Sequence, residues 1–296
     1  ELMERINYFL ELLDDPAKMR ALLREELIAI RDKFGDKRKT EIQEIEDEID
    51  IEDLIEEETC AFTLSNQGYI KRMPVDTYRT QSRGGRGVNA QNLKEEDYVK
   101  SLIIASTHDH MLFFTDQGKV HHRKGYQIPE AGRTARGTAI VNVLPLEPGE
   151  SVTAVVTTRE FNEDEYLMMV TSQGTVKRIP FIALKTNRKG GIRALTLNEG
   201  DHLINVIRTE GNDNIILATA QGMAICFNEN DVRPMGRDAA GVRGIMLTGD
   251  DIVVGAEKAE EGKTLLTVTE NGFGKRTELS EYLRTGPDGE KIPQGR

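Results

Sequence analysis

Five copies of one short pattern run through the chain from residue 61 onward, and this repetition constrains the fold more than any other feature. Each copy is an apolar stretch ending in a polar turn with glycine. The copies are Phe62-Thr63-Leu64-Ser65-Asn66-Gln67-Gly68, Leu112-Phe113-Phe114-Thr115-Asp116-Gln117-Gly118, Met168-Met169-Val170-Thr171-Ser172-Gln173-Gly174, Ile216-Leu217-Ala218-Thr219-Ala220-Gln221-Gly222 and Leu266-Thr267-Val268-Thr269-Glu270-Asn271-Gly272. Their turn glycines are separated by 50, 56, 48 and 50 residues. Asn-Gly or Gln-Gly between two strand-like runs predicts a tight hairpin with a primed turn, because glycine reaches positive φ without a Cβ clash. A second landmark recurs in mid-copy: Gly84-Gly85-Arg86-Gly87-Val88, Thr134-Ala135-Arg136-Gly137-Thr138, Gly190-Gly191-Ile192-Arg193-Ala194 and Gly241-Val242-Arg243-Gly244-Ile245. Apolar segments follow it, such as Ser101–Ala105 and Val152–Thr157. About 50 residues accommodate four strands of five or six residues with turns of four to six. Such a period predicts blades. The fold expected is therefore mainly β, a propeller-like β-pinwheel of four-stranded antiparallel blades with one blade per copy. The fifth copy stops at Gln294-Gly295-Arg296, where its mid-copy landmark begins, and the first residue is Glu1 rather than Met. The chain thus reads as a piece of something longer, with about five blades of which the last is incomplete.

Residues 1–35 have a different texture. Ile6, Leu10 and Leu13 keep a helical stripe, and Met19, Leu22, Leu23, Leu27, Ile30 and Phe34 keep a second one. Asp15-Pro16 separates them: Asp15 suits an N-cap, and Pro16 suits the first helical position, where its missing N–H has no partner to lose. Gly35 is expected to end the second helix in the left-handed conformation. Two short helices cannot bury their apolar faces alone. Residues 36–58 read as an acidic linker, and 59–296 as the pinwheel.

The net charge of −11 is distributed very unevenly. Residues 1–60 carry 20 acids and 9 bases, whereas residues 61–296 carry 30 of each. Residues 41–60 alone hold 11 acids and no base, a pattern that reads as a solvated linker or as a tail competing for a basic surface. Inside the repeats the bases gather just after each turn. The segments 71–86, 119–136, 177–193, 233–243 and 275–296 carry net charges of +4, +4, +6, +2 and +1, which leaves −17 for the rest of residues 61–296. The phase is shared, so stacked copies are expected to put these bases on one rim. The candidates are Lys71 and Arg72 in the first copy; Arg123, Lys124, Arg133 and Arg136 in the second; Lys177, Arg178, Lys185, Arg188, Lys189 and Arg193 in the third; Arg237 and Arg243 in the fourth; and Lys275 and Arg276 in the fifth. The chain has no Trp, 5% aromatic residues and no recognition-helix pattern, so a curved basic rim suits the phosphates of duplex DNA rather than its bases. A curved rim must bend its duplex, and bending 20–30 bp by 40–90° costs roughly 1–6 kcal/mol, offset only by added contacts.

Gln81-Ser82-Arg83-Gly84-Gly85-Arg86-Gly87 is the densest Gly/Arg run. Its glycines let backbone N–H groups approach an anion, and its arginines add forked phosphate donors. Gln81, Arg83, Gly84, Gly85, Arg86 and Gly87 therefore join the candidates.

This run resembles Gln-Arg-Arg-Gly-Gly-Lys-Gly, the signature box of the C-terminal DNA-wrapping domain of DNA gyrase A subunits. Ser82 stands where that box has arginine, and Arg86 where it has lysine. Other stretches resemble the same family: Phe34-Gly35-Asp36-Lys37-Arg38-Lys39-Thr40-Glu41-Ile42, Ser106-Thr107-His108-Asp109-His110 and Thr138-Ala139-Ile140-Val141-Asn142-Val143-Leu144-Pro145-Leu146. The resemblance implies that residues 1–35 end the coiled-coil part of the breakage-reunion region. It also implies chiral wrapping of DNA that presents a passed segment for ATP-dependent negative supercoiling by a type IIA topoisomerase. Its partners would be duplex DNA, a second A subunit, and the gyrase B subunit. ATP and Mg²⁺ would belong to the B subunit, with no cofactor, metal or catalytic tyrosine in this stretch, and the setting would be the bacterial cytoplasm and nucleoid. The topoisomerase IV A subunit, with a degenerate box and fewer blades, and a protein-docking propeller are the alternatives.

Other chemistry finds little support. No run approaches the roughly 18 apolar residues of a membrane helix, and two cysteines, Cys60 and Cys226, make no disulfide framework and suit a reducing compartment. Gly85-x-Gly87-x-x-Ala90 lacks the strand and helix of a dinucleotide site. Gly262-Lys263-Thr264 lacks the first P-loop glycine, and His108-x-His110 lacks further metal ligands at a suitable spacing.

Overall fold

The computed structural model describes residues 1–36, 51–77 and 97–295, in two units divided after Asp50. The first unit is a pair of helices, α1 (Leu2–Asp14) and α2 (Pro16–Phe34). Asp15 caps α2 as its position predicts: its Oδ1 accepts the Ala17 N–H at 2.8 Å, and Pro16 opens the helix. Gly35 differs from expectation. It is extended, with φ −68°, and its N–H donates to the Arg31 carbonyl at 2.6 Å. A Cβ there would lie 2.4 Å from that carbonyl oxygen, so close approach selects glycine and not a left-handed turn. Within this unit Leu12 is buried, while Leu23, Leu27, Ile30 and Phe34 are exposed.

The second unit is built from the repeats. The first contains β1 (Thr59–Ser65), β2 (Tyr69–Pro74) and β3 (Val99–Ser106). The second contains β4 (His110–Thr115), β5 (Lys119–Lys124), the short β6 (Thr138–Ala139) and β7 (Val152–Thr158). The third contains β8 (Tyr166–Thr171), β9 (Thr175–Pro180), the short β10 (Ile192–Arg193) and β11 (Leu203–Thr209). The fourth contains β12 (Asn214–Thr219), β13 (Ala224–Asn228), the short β14 (Val242–Arg243) and β15 (Val253–Lys258). The fifth contains β16 (Thr264–Val268), β17 (Gly274–Glu278), β18 (Arg284–Thr285) and β19 (Lys291–Ile292). In each repeat the hairpin comes first and a 3-10 turn follows it; in the first four a long strand then returns beside the first hairpin strand.

The sheets do not coincide with the repeats. Their strand orders are β3-β1-β2-β6, β10-β5-β4-β7, β11-β8-β9-β14 and β13-β12-β15. The fourth strand of each complete blade therefore comes from the following repeat, which corrects the expectation of one blade per copy. The mid-copy landmark is this exchanged strand. Thr138 and Ala139 pair with Ile70 and Tyr69, Ile192 with Val120, and Val242 with Val176. The fourth sheet receives the start of the same contact, from Gln294 N–H to the Cys226 carbonyl at 2.8 Å. In the fifth repeat β16 pairs with β17, and β18 with β19.

The hairpin turns also differ from the primed type. Three residues connect β1 to β2, the Gly68 N–H donates to the Ser65 carbonyl at 3.0 Å, and Gly68 has φ +80°. Glycine thus closes a three-residue loop in the left-handed conformation. The threonine before the turn braces it in later copies, as where Thr171 Oγ1 accepts the Thr175 N–H at 3.1 Å.

Both faces of the central strands are buried. In β4, Leu112 and Phe114 pack with Leu167 and Met169 of β8, while Met111 and Phe113 pack with Phe62 and Leu64 of β1. In β8, Met168 and Val170 turn the other way, toward Ile215 and Leu217 of β12. Sheets stacked on both sides need apolar residues at successive positions, which is why these strands read as unbroken runs instead of alternating ones.

The exchanged strand can approach only where the following chain lacks a side chain. A Cβ on Gly241 (φ +97°) would lie 2.6 Å from the Val176 carbonyl oxygen, whereas one on Gly262 (φ +77°) would meet nothing within 4 Å. Gly241→Ala should therefore destabilise the domain by more than Gly262→Ala. The strained conformation alone costs of order 1–3 kcal/mol at either site. Urea denaturation of the two variants measures the difference, which is the contribution of close approach.

Candidate nucleic-acid interface

The bases expected on one rim fall into two groups. The first group lies on the second strand of the first three hairpins, and it is largely consumed by the protein. Lys71 and Lys177 occupy the third position after their turn glycines and are buried. Lys71 Nζ donates to the carbonyls of Gly132, Arg133 and Ala135 at 3.0, 2.8 and 3.0 Å. Lys177 Nζ donates to Ala194, Arg237 and Ala239 at 2.7, 2.6 and 3.0 Å. Burial lowers both pKa values, that of Lys177 to about 8.

The next residue along the strand is an arginine that bridges to the following blade. Arg178 is buried. Its Nε lies 2.9 Å from Glu229, its Nη1 donates to Asn230 at 2.9 Å, and its guanidinium covers the Tyr166 ring at 3.9 Å. Glu229 is fully buried and also accepts the Thr209 hydroxyl and the Gly211 and Asp213 N–H groups. Arg72 repeats the arrangement, donating to the Ile128 carbonyl at 2.9 Å with Glu130 at 3.2 Å. Arg123 donates to the Val143 and His122 carbonyls, and Lys124 pairs with Glu52 at 2.9 Å. The expectation that Lys71, Arg72, Arg123, Lys124, Lys177 and Arg178 form an open basic surface is thus corrected. Residues 61–296 carry no net charge, so strand bases have acids and carbonyls close at hand, and burial on both sheet faces forces that pairing.

The second group is exposed. Arg133 and Arg136 precede β6, and Lys185, Arg188 and Lys189 precede β10, which itself contains Arg193. Arg237 precedes β14, which contains Arg243. Each set occupies the same place in its repeat, running from the 3-10 turn after the hairpin up to or into the exchanged strand. Arg136 lies over the Tyr69 ring at 5.5 Å. Lys275 and Arg276 are exposed on β17. Exposed Arg233 belongs with the fourth set; it is not among the sequence candidates, although its segment is one of the basic stretches. Gln81, Arg83, Gly84, Gly85, Arg86 and Gly87 lie outside the described residues. So does most of the acidic linker, whose end is pinned instead of free. Thr107 N–H donates to the Glu58 carbonyl, His108 Nε2 to the Ile55 carbonyl, and Arg159 pairs with Glu57 at 2.8 Å.

The histidines act within the blades. His122 Nδ1 donates to the Thr186 carbonyl at 3.0 Å, so its neutral Nε2 accepts from His110 Nδ1 at 2.6 Å. Burial depresses both, His110 to about 4. No group of three or more metal-ligating side chains occurs among the described residues.

Comparison with known proteins decides the family. The profile of the DNA gyrase C-terminal domain, a beta-propeller, matches residues 61–106, 109–159, 165–210, 213–260 and 263–292. The chain belongs to this family. It is 49% identical to the DNA gyrase A subunit of Clostridium acetobutylicum over 282 residues, which is 95% of the chain and 34% of that protein. It is 47% identical over 265 residues to the corresponding protein of Salmonella typhimurium, 90% of the chain and 30% of that protein. The chain thus spans about a third of the length of these relatives. Among solved structures, a DNA gyrase A C-terminal domain superposes with a TM-score of 0.59 at 26% identity, over 74% of this chain and 71% of that one. The C-terminal domain of a DNA topoisomerase IV superposes with a TM-score of 0.66 at 24% identity, over 82% and 73%, and shares the fold. The matched relatives favour gyrase over topoisomerase IV.

Replacing Arg178 with Met leaves the buried Glu229 carboxylate without its cation. Breaking such a pair should cost about 3–5 kcal/mol. Lys275→Met, at an exposed position, should stay within about 0.5 kcal/mol of the parent. Denaturant midpoints of the two variants test whether the strand arginines are structural.

Proposed function

We propose that the pinwheel binds, bends and wraps duplex DNA without sequence preference and with a fixed hand. Within a gyrase holoenzyme it would present the passed segment for ATP-dependent negative supercoiling. The observation that carries this reading is the recurrence of exposed bases at one place in successive repeats: Arg133 and Arg136, then Lys185, Arg188, Lys189 and Arg193, then Arg237 and Arg243. A line of cations at a regular spacing follows a phosphate backbone, and it does so without reading base edges. The box at 81–87 would extend the line into the first repeat. Ser82 removes one base from it and would weaken that contact. In the holoenzyme the partners would be B subunits, which would supply the ATP and Mg²⁺ chemistry, together with a second copy of the A chain, in the bacterial cytoplasm and nucleoid. The breakage-reunion chemistry would lie in the part of the A chain outside these residues.

Affinity for a random duplex should fall linearly in log–log form as salt rises. Engagement of 6–10 phosphates predicts a loss of about 10³–10⁵ between 50 and 200 mM. Arg188→Ala and Lys189→Ala should each reduce the slope by about 0.9 and leave stability unchanged. A flat salt dependence, or a strong preference for one sequence, would remove the reading. Religation of a nicked circle with and without the protein tests the wrap. A shift of linking number in one direction is expected, and Arg83→Ala with Arg86→Ala should abolish it while leaving residual binding. No shift would mean binding without wrapping.

A further inference from the structure

Lys71 and Lys177 stand at equivalent places in the first and third repeats, and each is bonded chiefly to chain from a following repeat. An ammonium has three donors and no acceptor. Here all three meet carbonyls: those of Gly132, Arg133 and Ala135 for Lys71, and those of Ala194, Arg237 and Ala239 for Lys177. These carbonyls belong to the backbone that carries the exposed bases. Arg133 and Arg237 offer their own carbonyls inward and their side chains outward, and Arg136 and Arg243 lie a few residues beyond. Lys177 goes further: it holds Ala194 beside Arg193 as well as the Arg237 loop, so one buried charge joins the basic segments of two successive repeats. The second and fourth repeats lack this device, since His121 and Ile225 occupy the equivalent positions.

We propose that Lys71 and Lys177 are positioning residues for DNA binding, fixing the basic loops 132–136 and 236–243 in the conformation that meets phosphates. The inference rests on the DNA-binding reading. An inward-facing ammonium contributes no phosphate contact of its own. Its effect is to hold the backbone from which two or more arginines project, so that binding energy is not spent on aligning them.

The lysine at 177 offers a test without mutation, because burial lowers its pKa to about 8. The charged group acting on it from the packed loops is Asp238, which favours the ammonium. A neutral amine has two N–H donors, so one of the three carbonyls is released above that pH. The folded pKa lies below the unfolded value near 10.4. Between the two the unfolded state binds more protons, and this group therefore adds to stability as pH rises. Loosening of the loop is thus separable from loss of the fold.

The experiment compares the whole chain with Lys177→Met, Arg237→Ala and the double variant. It measures salt dependence on a random duplex and amide exchange in residues 236–243, at pH 7 and pH 9.5. Arg237→Ala should lower the salt slope by about 0.9 at pH 7 and by less at pH 9.5. Lys177→Met removes no exposed charge, yet should lower the slope by at least as much, raise exchange in 236–243, and show little further change on adding Arg237→Ala. The parent should lose slope and loop protection between pH 7 and 9.5 with no fall in denaturation midpoint, and Lys177→Met should show no such pH step. If Lys177→Met does not fold, Lys71→Met against Arg133→Ala, together with the pH series on the parent, decides the matter. A parental slope in Lys177→Met beside a reduced one in Arg237→Ala overturns the positioning role, as does the same pair of results for Lys71→Met and Arg133→Ala. Unchanged slopes in Arg237→Ala and in the Arg188 and Lys189 variants alike would remove the DNA reading itself.

Discussion

Each complete blade in this domain depends on a strand that belongs to the next repeat. Thr138-Ala139, Ile192-Arg193 and Val242-Arg243 are only two residues long, yet they complete the sheets begun by β1, β4 and β8. The exchange places successive repeats in one hydrogen-bonded network, in addition to the stacked cores between their sheets. It also fixes the chain just before each short strand. The loops that carry Arg133, Arg136, Arg188, Lys189 and Arg237 are therefore held at their C-terminal ends by sheet pairing and at their N-terminal ends by the 3-10 turns. A basic loop hung between two anchored points keeps its place in the second, third and fourth repeats, and a surface that follows a regular polyanion requires that constancy.

The polar interior serves the same geometry. In the first three blades, where the central sheets are buried on both faces, a charge on the second hairpin strand has little access to solvent and finds protein partners. Lys71 and Lys177 meet three carbonyls each, and Arg178 meets Glu229 and Asn230. Glu229 in turn holds the Gly211 and Asp213 amides of the turn between the third and fourth repeats. These bonds run between repeats. The apolar clusters supply burial, while the charged contacts specify which loop lies against which strand.

The repeat, its phase and the helix boundary at Asp15-Pro16 were legible in the sequence, because each follows from a local rule: a glycine at a turn, an apolar run, a cap. The strand exchange was not. A period of 48 to 56 residues shows that four strands fit in each copy, but it does not say which copy the shortest strand pairs with. Glycines before those strands were visible as part of the mid-copy landmark, but nothing local in the sequence shows that Gly137 and Gly241 lie against the Ile70 and Val176 carbonyls of the preceding repeat. A turn glycine and a close-approach glycine look alike until the partner strand is placed.

The bases show the same limit more sharply. Counting charge by repeat picked out the stretches within which every exposed set lies. It could not separate Lys177 from Lys189, because both are lysines in a stretch without acids. What separates them is position on the strand. Lys177 is in β9, where both faces pack against neighbouring sheets, and Lys189 lies past the 3-10 turn, exposed on its loop. The acids behave likewise. Glu52 lies within a strongly acidic run that reads as solvated linker, yet its carboxylate holds Lys124 at 2.9 Å and so removes one cation from the open set. The polarisation implied by composition is thus partly cancelled inside the domain, and the bases that stay exposed lie in the chain leading into the exchanged strands and in those strands themselves.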